Sequence, residues 1–306
     1  MTDIIVLGSL NMDLSVNVRR MPMPGETISG GDLITNAGGK GANQAAACAK
    51  LGSRVTLVGA VGQDDFGRSM IDGLKKQGVD TAFIKMNAAV PTGTAMILVD
   101  DSGENSIVLS AGANATVFLD AQTARLISGA KLLILQLEIK PGVVYAAIEL
   151  AHQNGVKVLL NPAPAIELPA EIYPFIDYLV PNESEASLLA GVEVIDATSA
   201  GQAADVLLAK GAKQVIITMG AKGSVWATAG LKKAIPALPI EPVDTTGAGD
   251  AFIGGFSSAI IEGKTIEEAL GLASACGALA ATKRGAQSSL PSRQEVEDFL
   301  ASKNNS

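Results

Sequence analysis

The chain has 306 residues, which suits one large α/β domain or two moderate ones. Hydrophobic residues make up 48% of the chain but aromatic residues only 4%, so the core must consist of Ala, Val, Ile and Leu, as in parallel sheets covered by helices. The formal net charge is −8 and no basic run is present, which argues against nucleic acid or an anionic membrane as a main partner.

The N-terminal segment predicts a first β-strand. Residues 4–8 form a short apolar run without a preceding basic region, so we expect no signal peptide. No apolar stretch reaches the roughly 18 residues of a membrane span. The two cysteines, Cys48 and Cys276, are too few for a disulfide framework or a Cys-based zinc site. We therefore expect a soluble, cytoplasmic protein.

Strand-like and helix-like segments alternate along most of the chain. The predicted strands are residues 4–8, 55–59, 132–136, 156–160, 178–180 and 215–218, with a further strand within 223–228. The predicted helices are residues 42–51, 66–77, 120–128, 142–154, 183–190, 200–209, 248–261, 266–281 and 293–300. Several helices end at a glycine placed as a C-cap: Gly52, Gly78, Gly155 and Gly191. The alternation predicts an α/β fold with a doubly wound, mostly parallel sheet and helices on both faces.

Two regions interrupt this alternation. Residues 14–18 alternate in polarity, and a second extended stretch at 26–34 follows a turn. Residues 94–99 and 105–109 flank a polar turn and predict a hairpin. With one apolar face and no helices to cover the other, these strands predict a small projecting antiparallel sheet that serves as a lid, an oligomer surface or both. We expect a single domain over residues 1–306, with lid strands inserted at about 12–36 and 92–110.

The strongest chemical signal is the segment Asp244-Thr245-Thr246-Gly247-Ala248-Gly249-Asp250, followed by an apolar helix. Its small residues let an anion approach the backbone, and the helix start directs N–H groups at the same point. A carboxylate is unexpected beside phosphate unless it accepts a proton from an attacking hydroxyl, a role we assign to Asp250. The alternative is that the glycines only turn the chain and Asp250 caps the helix.

Two further segments carry polar groups at the ends of predicted elements. Residues 37–44 do not form a Walker A loop, because Lys40 is followed by Gly41 rather than Ser or Thr. No G-x-G-x-x-G follows a strand, which disfavours a dinucleotide-binding dehydrogenase. Lys40 and Asn43 at a glycine-rich helix start could instead bind polyol hydroxyls, although a turn with a solvated lysine fits equally well. Asn11 and Asp13 follow the first strand, where parallel sheets bind ligands, but such residues are also common in strand-exit turns.

Taken together, these residues resemble the PfkB family of carbohydrate kinases over essentially the whole chain. The matching motifs are residues 11–13, 38–44, 182–185 and 244–250, with further matches at 136–138, 161–164 and 285–287. The resemblance implies a doubly wound sheet with a β-lid and transfer of the ATP γ-phosphate to a sugar 5-hydroxyl. Within the family, Asn11, Asp13 and the Asn43 segment indicate D-ribose.

The resemblance also implies a role for each matching residue. Asp250 would deprotonate the sugar, and an anion hole would consist of Gly247, Ala248 and Gly249. The sugar would be held by Asn11, Met12, Asp13, Gly38, Gly39, Lys40, Gly41, Asn43 and Glu138. The nucleotide would contact Asn182, Glu185, Thr218, Gly220, Ala221, Lys222, Gly223, Gly249 and Ser274, with Glu185 reaching Mg²⁺ through water. An activating monovalent cation, K⁺, would lie at Asp244, Thr246, Ala280, Lys283, Gly285 and Ser289, largely on backbone carbonyls.

Two other functions stay open at this point. The chain could be a related kinase that uses 2-deoxyribose, fructose or a nucleoside, or a non-catalytic module that senses sugar or nucleotide. The intact 244–250 loop disfavours the sensing module. We also expect a homodimer that forms through the lids, because an uncovered apolar sheet face and its edges would otherwise lie in water.

Overall fold

The structure is a computed structural model that describes residues 2–304. Within these residues it contains a nine-stranded sheet in the order β13-β12-β11-β10-β9-β8-β1-β4-β5 and a four-stranded sheet in the order β3-β2-β6-β7. The strands are β1 (Ile4–Leu7), β2 (Asn11–Asn17), β3 (Ile34–Gly38), β4 (Val55–Gly62), β5 (Asp80–Asn87), β6 (Gly93–Val99), β7 (Asn105–Ser110), β8 (Leu132–Leu135), β9 (Lys157–Leu160), β10 (Tyr178–Leu179), β11 (Gln214–Thr218), β12 (Ser224–Thr228) and β13 (Leu231–Ile235).

The large sheet is parallel from β5 to β11, and only β12 and β13 run antiparallel to their neighbours. The helices are α1 (Lys40–Lys50), α2 (Asp65–Lys76), α3 (Ala121–Ser128), α4 (Pro141–Gln153), α5 (Glu183–Ala190), α6 (Ala197–Ala209), α7 (Ala248–Ile261), α8 (Ile266–Ala281), α9 (Ala286–Ser289) and α10 (Arg293–Asn304). Short 3₁₀ turns occupy Gly112–Thr116, Ala170–Phe175 and Gly220–Lys222.

Successive residues of β1 enter two separate cores. Ile4 and Val6 face a core shared with α1, α7 and α8, whereas Ile5 and Leu7 face a core shared with α4, α5 and α6. Both cores are mainly aliphatic, as the low aromatic content predicts, with a few buried aromatic residues such as Phe256 and Tyr173. The doubly wound α/β fold predicted from the sequence is therefore confirmed.

The four-stranded sheet, called the lid below, has antiparallel outer pairs, β2 with β3 and β6 with β7, and a parallel central pair, β2 with β6. The predicted strand at residues 26–34 is wrong, because the strand that pairs with β2 is Ile34–Gly38. Gly30 and Gly31 lie in the mispredicted stretch, where a side chain on Gly30 would meet Val16 at 2.5 Å. The stretch crosses β2 as an irregular segment, held by the Gly31 N–H bond to Asn17 O.

Most predicted helix boundaries lie within a few residues of the observed ones. The glycines predicted as C-caps all have positive φ, from 67° at Gly191 to 88° at Gly78. The sequence reasoning missed β5 and β13, which are the two edges of the large sheet. Within the described residues, the structure contains no helix with the length and apolarity needed to span a membrane.

Candidate active site

A cavity lies where the carboxyl ends of β9, β10 and β11 meet the first turns of α1, α5 and α7. Its volume is about 230 Å³. Its lining includes one cation, Lys40, and two carboxylates, Glu185 and Asp250. The other lining residues are Asn161, Ala163, Val180, Asn182, Thr218, Thr245, Gly247, Gly249, Phe252 and Ile253. The cavity thus joins residues predicted to bind the sugar to residues predicted to bind the nucleotide.

Asp250 lies in the first turn of α7 and is 8% exposed. Gly247 begins the helix with φ 78°, a conformation that a residue with a side chain rarely adopts. The two Asp250 carboxylate oxygens accept hydrogen bonds of 2.9 Å from Asn43 Nδ2 and Gln44 Nε2. Burial raises the pKa of Asp250, while Lys40 and the two amides act in the opposite direction. The carboxylate is therefore fixed in place and poised to accept a proton.

A chain of buried amides supports Asp250 from behind. Gln136 Nε2 donates to Gln44 Oε1 over 2.6 Å, and Gln44 Nε2 also donates to Asn161 Oδ1 over 3.1 Å. Asn161 in turn donates to Val180 O over 3.0 Å. The sequence analysis placed Gln44, Gln136 and Asn161 inside matching motifs but did not assign them to the site. Their positions next to Asn43, Glu138 and the end of β9 could have indicated the role.

Lys40 begins α1 and lines the same cavity. Burial disfavours its charge, but the carboxylates of Asp250, Glu138 and Glu185 outweigh burial, so the pKa of Lys40 is raised. The ammonium group therefore stays charged and can neutralise an anion placed in the cavity. The predicted helix start at residue 42 lies two residues too late, since the structure places Lys40 in the first turn.

Glu138 follows β8 and collects three donors on one oxygen. Its Oε2 accepts from Ser9 Oγ at 2.5 Å, from Lys40 N at 3.1 Å and from Asn11 Nδ2 at 3.3 Å. These bonds tie together β1, the lid strand β2 and the start of α1. They fix the Glu138 carboxylate in one orientation at the lid base, where a polyol hydroxyl could donate to it.

Asp13 lies two residues beyond Asn11 on β2, so both side chains are on the same face of the lid. Burial, together with the negative charges of Glu138 and Asp250, raises the pKa of Asp13 to about 7. A side chain at Gly38 would overlap with the Asp13 carboxylate, so a larger residue there would displace that carboxylate. Met12 points to the opposite face and packs in the hydrophobic core.

The predicted nucleotide residues surround the start of α5 and the end of β11. Asn182 caps α5 and exchanges hydrogen bonds with Glu185 in a capping box, with 2.9 Å from Asn182 N to Glu185 Oε2. Thr218 forms a β-bridge with Asn182. Burial raises the pKa of Glu185. All three residues line the cavity.

The remaining predicted nucleotide residues lie further from the cavity. Gly220, Ala221, Lys222 and Gly223 form the turn that joins β11 to β12. The Lys222 ammonium donates to Ile195 O over 2.8 Å. Ser274 is half-buried in α8 and does not line the cavity.

The predicted cation residues come together behind the 244–250 loop. Asp244 Oδ2 accepts from Gly285 N at 2.8 Å, and Asp244 Oδ1 accepts from Thr246 N at 2.9 Å. These hydrogen bonds outweigh partial burial and lower the pKa of Asp244. The loop is thereby fastened to the segment between α8 and α9, which contains Lys283 and Gly285, while Ala280 lies in the last turn of α8 and Ser289 at the end of α9. The Lys283 side chain pairs with Glu295 over 2.5 Å, so only its backbone can face the loop.

Comparison with known proteins gives a consistent result over nearly the whole chain. The sequence profile of the pfkB family carbohydrate kinases matches residues 1–293. Ribokinase of Haemophilus influenzae is 43% identical over 297 residues, covering 96% of this chain and 97% of its own. Deoxyribokinase of Salmonella typhi is 38% identical over 304 residues, covering 98% and 99%. The structure of Arabidopsis thaliana ribokinase with ribose and ATP superimposes with a TM-score of 0.92 at 34% identity, covering 98% and 99%.

Proposed function

The chain belongs to the pfkB family of carbohydrate kinases, and we propose that it transfers the γ-phosphate of ATP to the 5-hydroxyl of D-ribose, giving ribose 5-phosphate and ADP. The observation that supports this most directly is the position of Asp250. This carboxylate lies at an anion-binding helix start, in a cavity that joins Lys40 to Asn182 and Glu185. A non-catalytic sensor would have no need of a fixed base at that point.

In this mechanism Asp250 is the general base. The sugar 5-hydroxyl gives its proton to Asp250 as its oxygen attacks the γ-phosphorus, and the bond from that phosphorus to the β,γ-bridging oxygen breaks, so that ADP leaves. Asn43 and Gln44 hold the carboxylate so that it does not rotate away. Asn43 Oδ1 is buried and has no hydrogen-bond partner within the described residues, which fits an acceptor that receives a sugar hydroxyl. Asn11, Asp13, Gly39 and Glu138 complete the sugar site.

The start of α7 stabilises the negative charge that develops on the transferring phosphoryl group. Gly247, Ala248 and Gly249 present backbone N–H groups and the positive end of the helix dipole. A Cβ atom at Gly249 would meet nothing within 4 Å, so this position is open to the cavity. Lys40 supplies a full positive charge on the opposite wall.

The residues near Glu185 fit an indirect contact with Mg²⁺. Both Glu185 oxygens already accept a hydrogen bond from Asn182, which favours contact through water over direct ligation. When bound, Mg²⁺ would neutralise charge on the ATP phosphates. Thr218 and the 220–223 turn would border the nucleotide, and Ser274 would lie towards its base.

We also propose that K⁺ binds behind the anion hole. Asp244 supplies a negative charge, and the segments that meet there supply the carbonyls of Thr246, Ala280, Lys283 and Gly285, with Ser289 beside them. A large monovalent ion suits such a set of neutral oxygens better than a small divalent ion does. The ion would hold the 244–250 loop in the conformation that forms the anion hole.

We propose one kinase domain over residues 1–306, with the lid inserted at about 12–36 and 92–110. A second copy of the chain would cover this lid. Apolar residues between 46% and 64% exposed remain on both faces of the lid sheet: Met96 and Val108 on the face that carries Met12, and Ile34, Ile107 and Leu109 on the face that carries Asp13, with Leu33 directly before β3. Two lids packed about a twofold axis would bury the apolar residues of one face symmetrically. The buried free thiols Cys48 and Cys276 fit a reducing compartment such as the cytoplasm.

A coupled assay of ADP release tests the proposal. The purified chain is supplied with MgATP, K⁺ and one of D-ribose, 2-deoxyribose, fructose or a nucleoside. We expect the highest kcat/KM with D-ribose and a 5-phosphate product by NMR. A higher value with 2-deoxyribose would assign the chain to the activity of its Salmonella relative instead. If the chain releases no ADP with any of these compounds, the kinase assignment is contradicted.

A further inference from the structure

Asn114 is a buried amide outside the cavity and outside every motif discussed above. It lies in the 3₁₀ turn Gly112–Thr116, directly after the last lid strand, and is 1% exposed. Its Oδ1 accepts from Leu10 N at 2.9 Å, and its Nδ2 donates to Leu10 O at 3.0 Å. The Asn114 amide thus pairs with both backbone groups of Leu10, as the backbone of a neighbouring strand would. Leu10 is the residue immediately before the first lid strand.

The same Nδ2 group also donates to Asn11 Oδ1 over 2.7 Å. The orientation of the Asn114 amide is unambiguous, because Leu10 N–H can only donate and Leu10 C=O can only accept. The orientation of the Asn11 amide follows from it. Asn11 Oδ1 must face Asn114, and Asn11 Nδ2 must face Glu138 Oε2 at 3.3 Å and the sugar site.

We propose that Asn114 is a positioning residue for the sugar. It fixes Asn11 as a hydrogen-bond donor towards the substrate and joins the last lid strand to the first one at their bases. This inference rests on the proposed sugar kinase function. It goes beyond that function by assigning a role in sugar affinity to a residue that does not touch the sugar.

Gly93 supports this assignment independently. It pairs with Asn11 at the start of β6. Gly93 is not among the positive-φ glycines of residues 2–304, so its backbone does not require glycine. A side chain there would overlap with Asn114 Nδ2 and Asn11 Oδ1. The absence of a side chain at this position is therefore explained by the space that the two amides occupy.

The neighbouring lid strands meet at the same point. Ala113 N donates to Pro91 O over 2.8 Å, just before β6. Thr92 in turn donates from its N and Oγ1 to the Asp64 carboxylate over 2.8 Å and 2.6 Å. The bases of β2, β6 and β7 are thus connected to one another and to the start of α2. Loss of the Asn114 side chain would remove the bonds that join the start of β2 to this network.

A double-mutant cycle tests the proposal. Asn114→Ala, Asn11→Ala and the double variant are compared with wild type for ribose KM, ATP KM and kcat. We expect Asn114→Ala to raise ribose KM about tenfold and to leave ATP KM within twofold of wild type. In the double variant, ribose KM should be little higher than in Asn11→Ala alone. Gly93→Ala should raise ribose KM in the same way.

The matched control is Thr116→Val. It removes the 2.7 Å bond from Thr116 Oγ1 to Ala113 O in the same 3₁₀ turn but touches neither Leu10 nor Asn11. Its ribose KM should stay within twofold of wild type. If Asn114→Ala does not fold, Asn114→Ser replaces it in the cycle, because serine keeps a polar group in the turn but is one bond too short to make the amide's hydrogen bond to Asn11.

Additive effects in the cycle, or an equal rise of ribose KM in Thr116→Val, would overturn the role of Asn114. The turnover of the wild-type chain distinguishes a failure of the positioning role from a failure of the proposed kinase function. A wild-type chain that phosphorylates no sugar contradicts the kinase assignment, whereas an active wild type with an additive cycle contradicts only the positioning role. Calorimetric titration of ribose in the absence of ATP gives the same comparison without turnover.

Discussion

At the scale of single residues, the proposed phosphoryl transfer depends on one buried carboxylate. Asp250→Asn keeps the shape of the side chain but removes the proton acceptor, so we expect kcat to fall by about 10²–10⁴. Binding of ribose and ATP, measured by calorimetry, should change little. A turnover within tenfold of wild type would contradict the assignment of Asp250 as general base.

Asp13 gives a prediction about pH. Its pKa is about 7 in the folded chain against an ordinary value of 3.8, so between these values the folded state binds more protons than the unfolded state. The contribution of Asp13 to stability is thus fully present below about pH 4 and is lost as the pH rises through about 7. Asp13→Asn imitates the protonated form and should not show this loss.

Denaturant titration without sugar measures the effect. At pH 8 we expect Asp13→Asn to be more stable than wild type by on the order of 1 kcal/mol, after allowance for the partial exposure of Asp13, and equally stable near pH 4. Ribose KM should rise in the variant, because its carboxylate acceptor is gone. A stability difference that does not change with pH would contradict the raised pKa.

Single residues also mark how far the sequence can be interpreted. Asp250 and Lys40 could be proposed as site residues because their motifs carry charge beside glycine, whereas the role of Glu138 was implied only by the resemblance to the PfkB family. Asn114 and Gln136 could not, since their roles arise from partners more than 90 residues away. Such contacts leave no spacing pattern in the sequence, and an isolated Asn or Gln has many ordinary uses.

At the scale of elements, the packing of α7 on α1 depends on a missing side chain. A Cβ atom at Gly254 would overlap with Ala47 Cβ and lie 3.0 Å from the Ala47 carbonyl carbon. Gly254→Ala should therefore destabilise the fold by about 1–3 kcal/mol, despite the better helix propensity of Ala.

Gly271→Ala in α8 is the matched control, because a Cβ atom there meets nothing within 4 Å. This variant should be neutral or more stable by up to about 1 kcal/mol. Urea denaturation of both variants measures the difference. Equal stabilities would show that α1 can shift to accommodate the added methyl group.

The loop before α7 gives the prediction on monovalent cations. If K⁺ holds Asp244 against the segment between α8 and α9, kcat should be several-fold higher in KCl than in NaCl or tetramethylammonium chloride at equal ionic strength. In Asp244→Asn the difference between the salts should shrink, because the charge that attracts the ion is absent. Identical wild-type rates in the three salts would exclude this site.

The elements that the sequence predicted are those with a strong hydrophobic pattern. Buried strands such as β1 and β8, and helices with glycine caps, were recognised because burial dictates their residues. The edge strands β5 and β13 were missed because β5 is buried at only two positions and β13 at none, so polar and charged side chains such as Lys232 and Lys233 interrupt the apolar pattern. Residues 26–34 were misassigned because their local extension resembles a strand, whereas pairing across the lid selects residues 34–38.

At the scale of the whole molecule, the lid predicts a twofold dimer. Light scattering coupled to size exclusion at micromolar concentration should give about twice the 31.1 kDa of one chain. Val108→Lys places a charge in the exposed apolar surface of the lid and should shift the protein to monomer. Leu231→Lys, at an exposed apolar position on β13 outside the lid, should leave the mass unchanged. A wild-type monomer with full activity would contradict the dimer.

The lid consists of two separate stretches of chain, which carry β2 with β3 and β6 with β7, and each stretch leaves and re-enters the body of the protein. No single cut by a protease can therefore detach it. The exposed turn between β6 and β7 is the natural place for such a cut, since its backbone bonds, such as Gly103 N to Asp100 O, are local. A chain nicked there would remain one particle, with each fragment bound to the other along both sheets. The turn is therefore suited to the insertion of a tag or a fluorescent reporter.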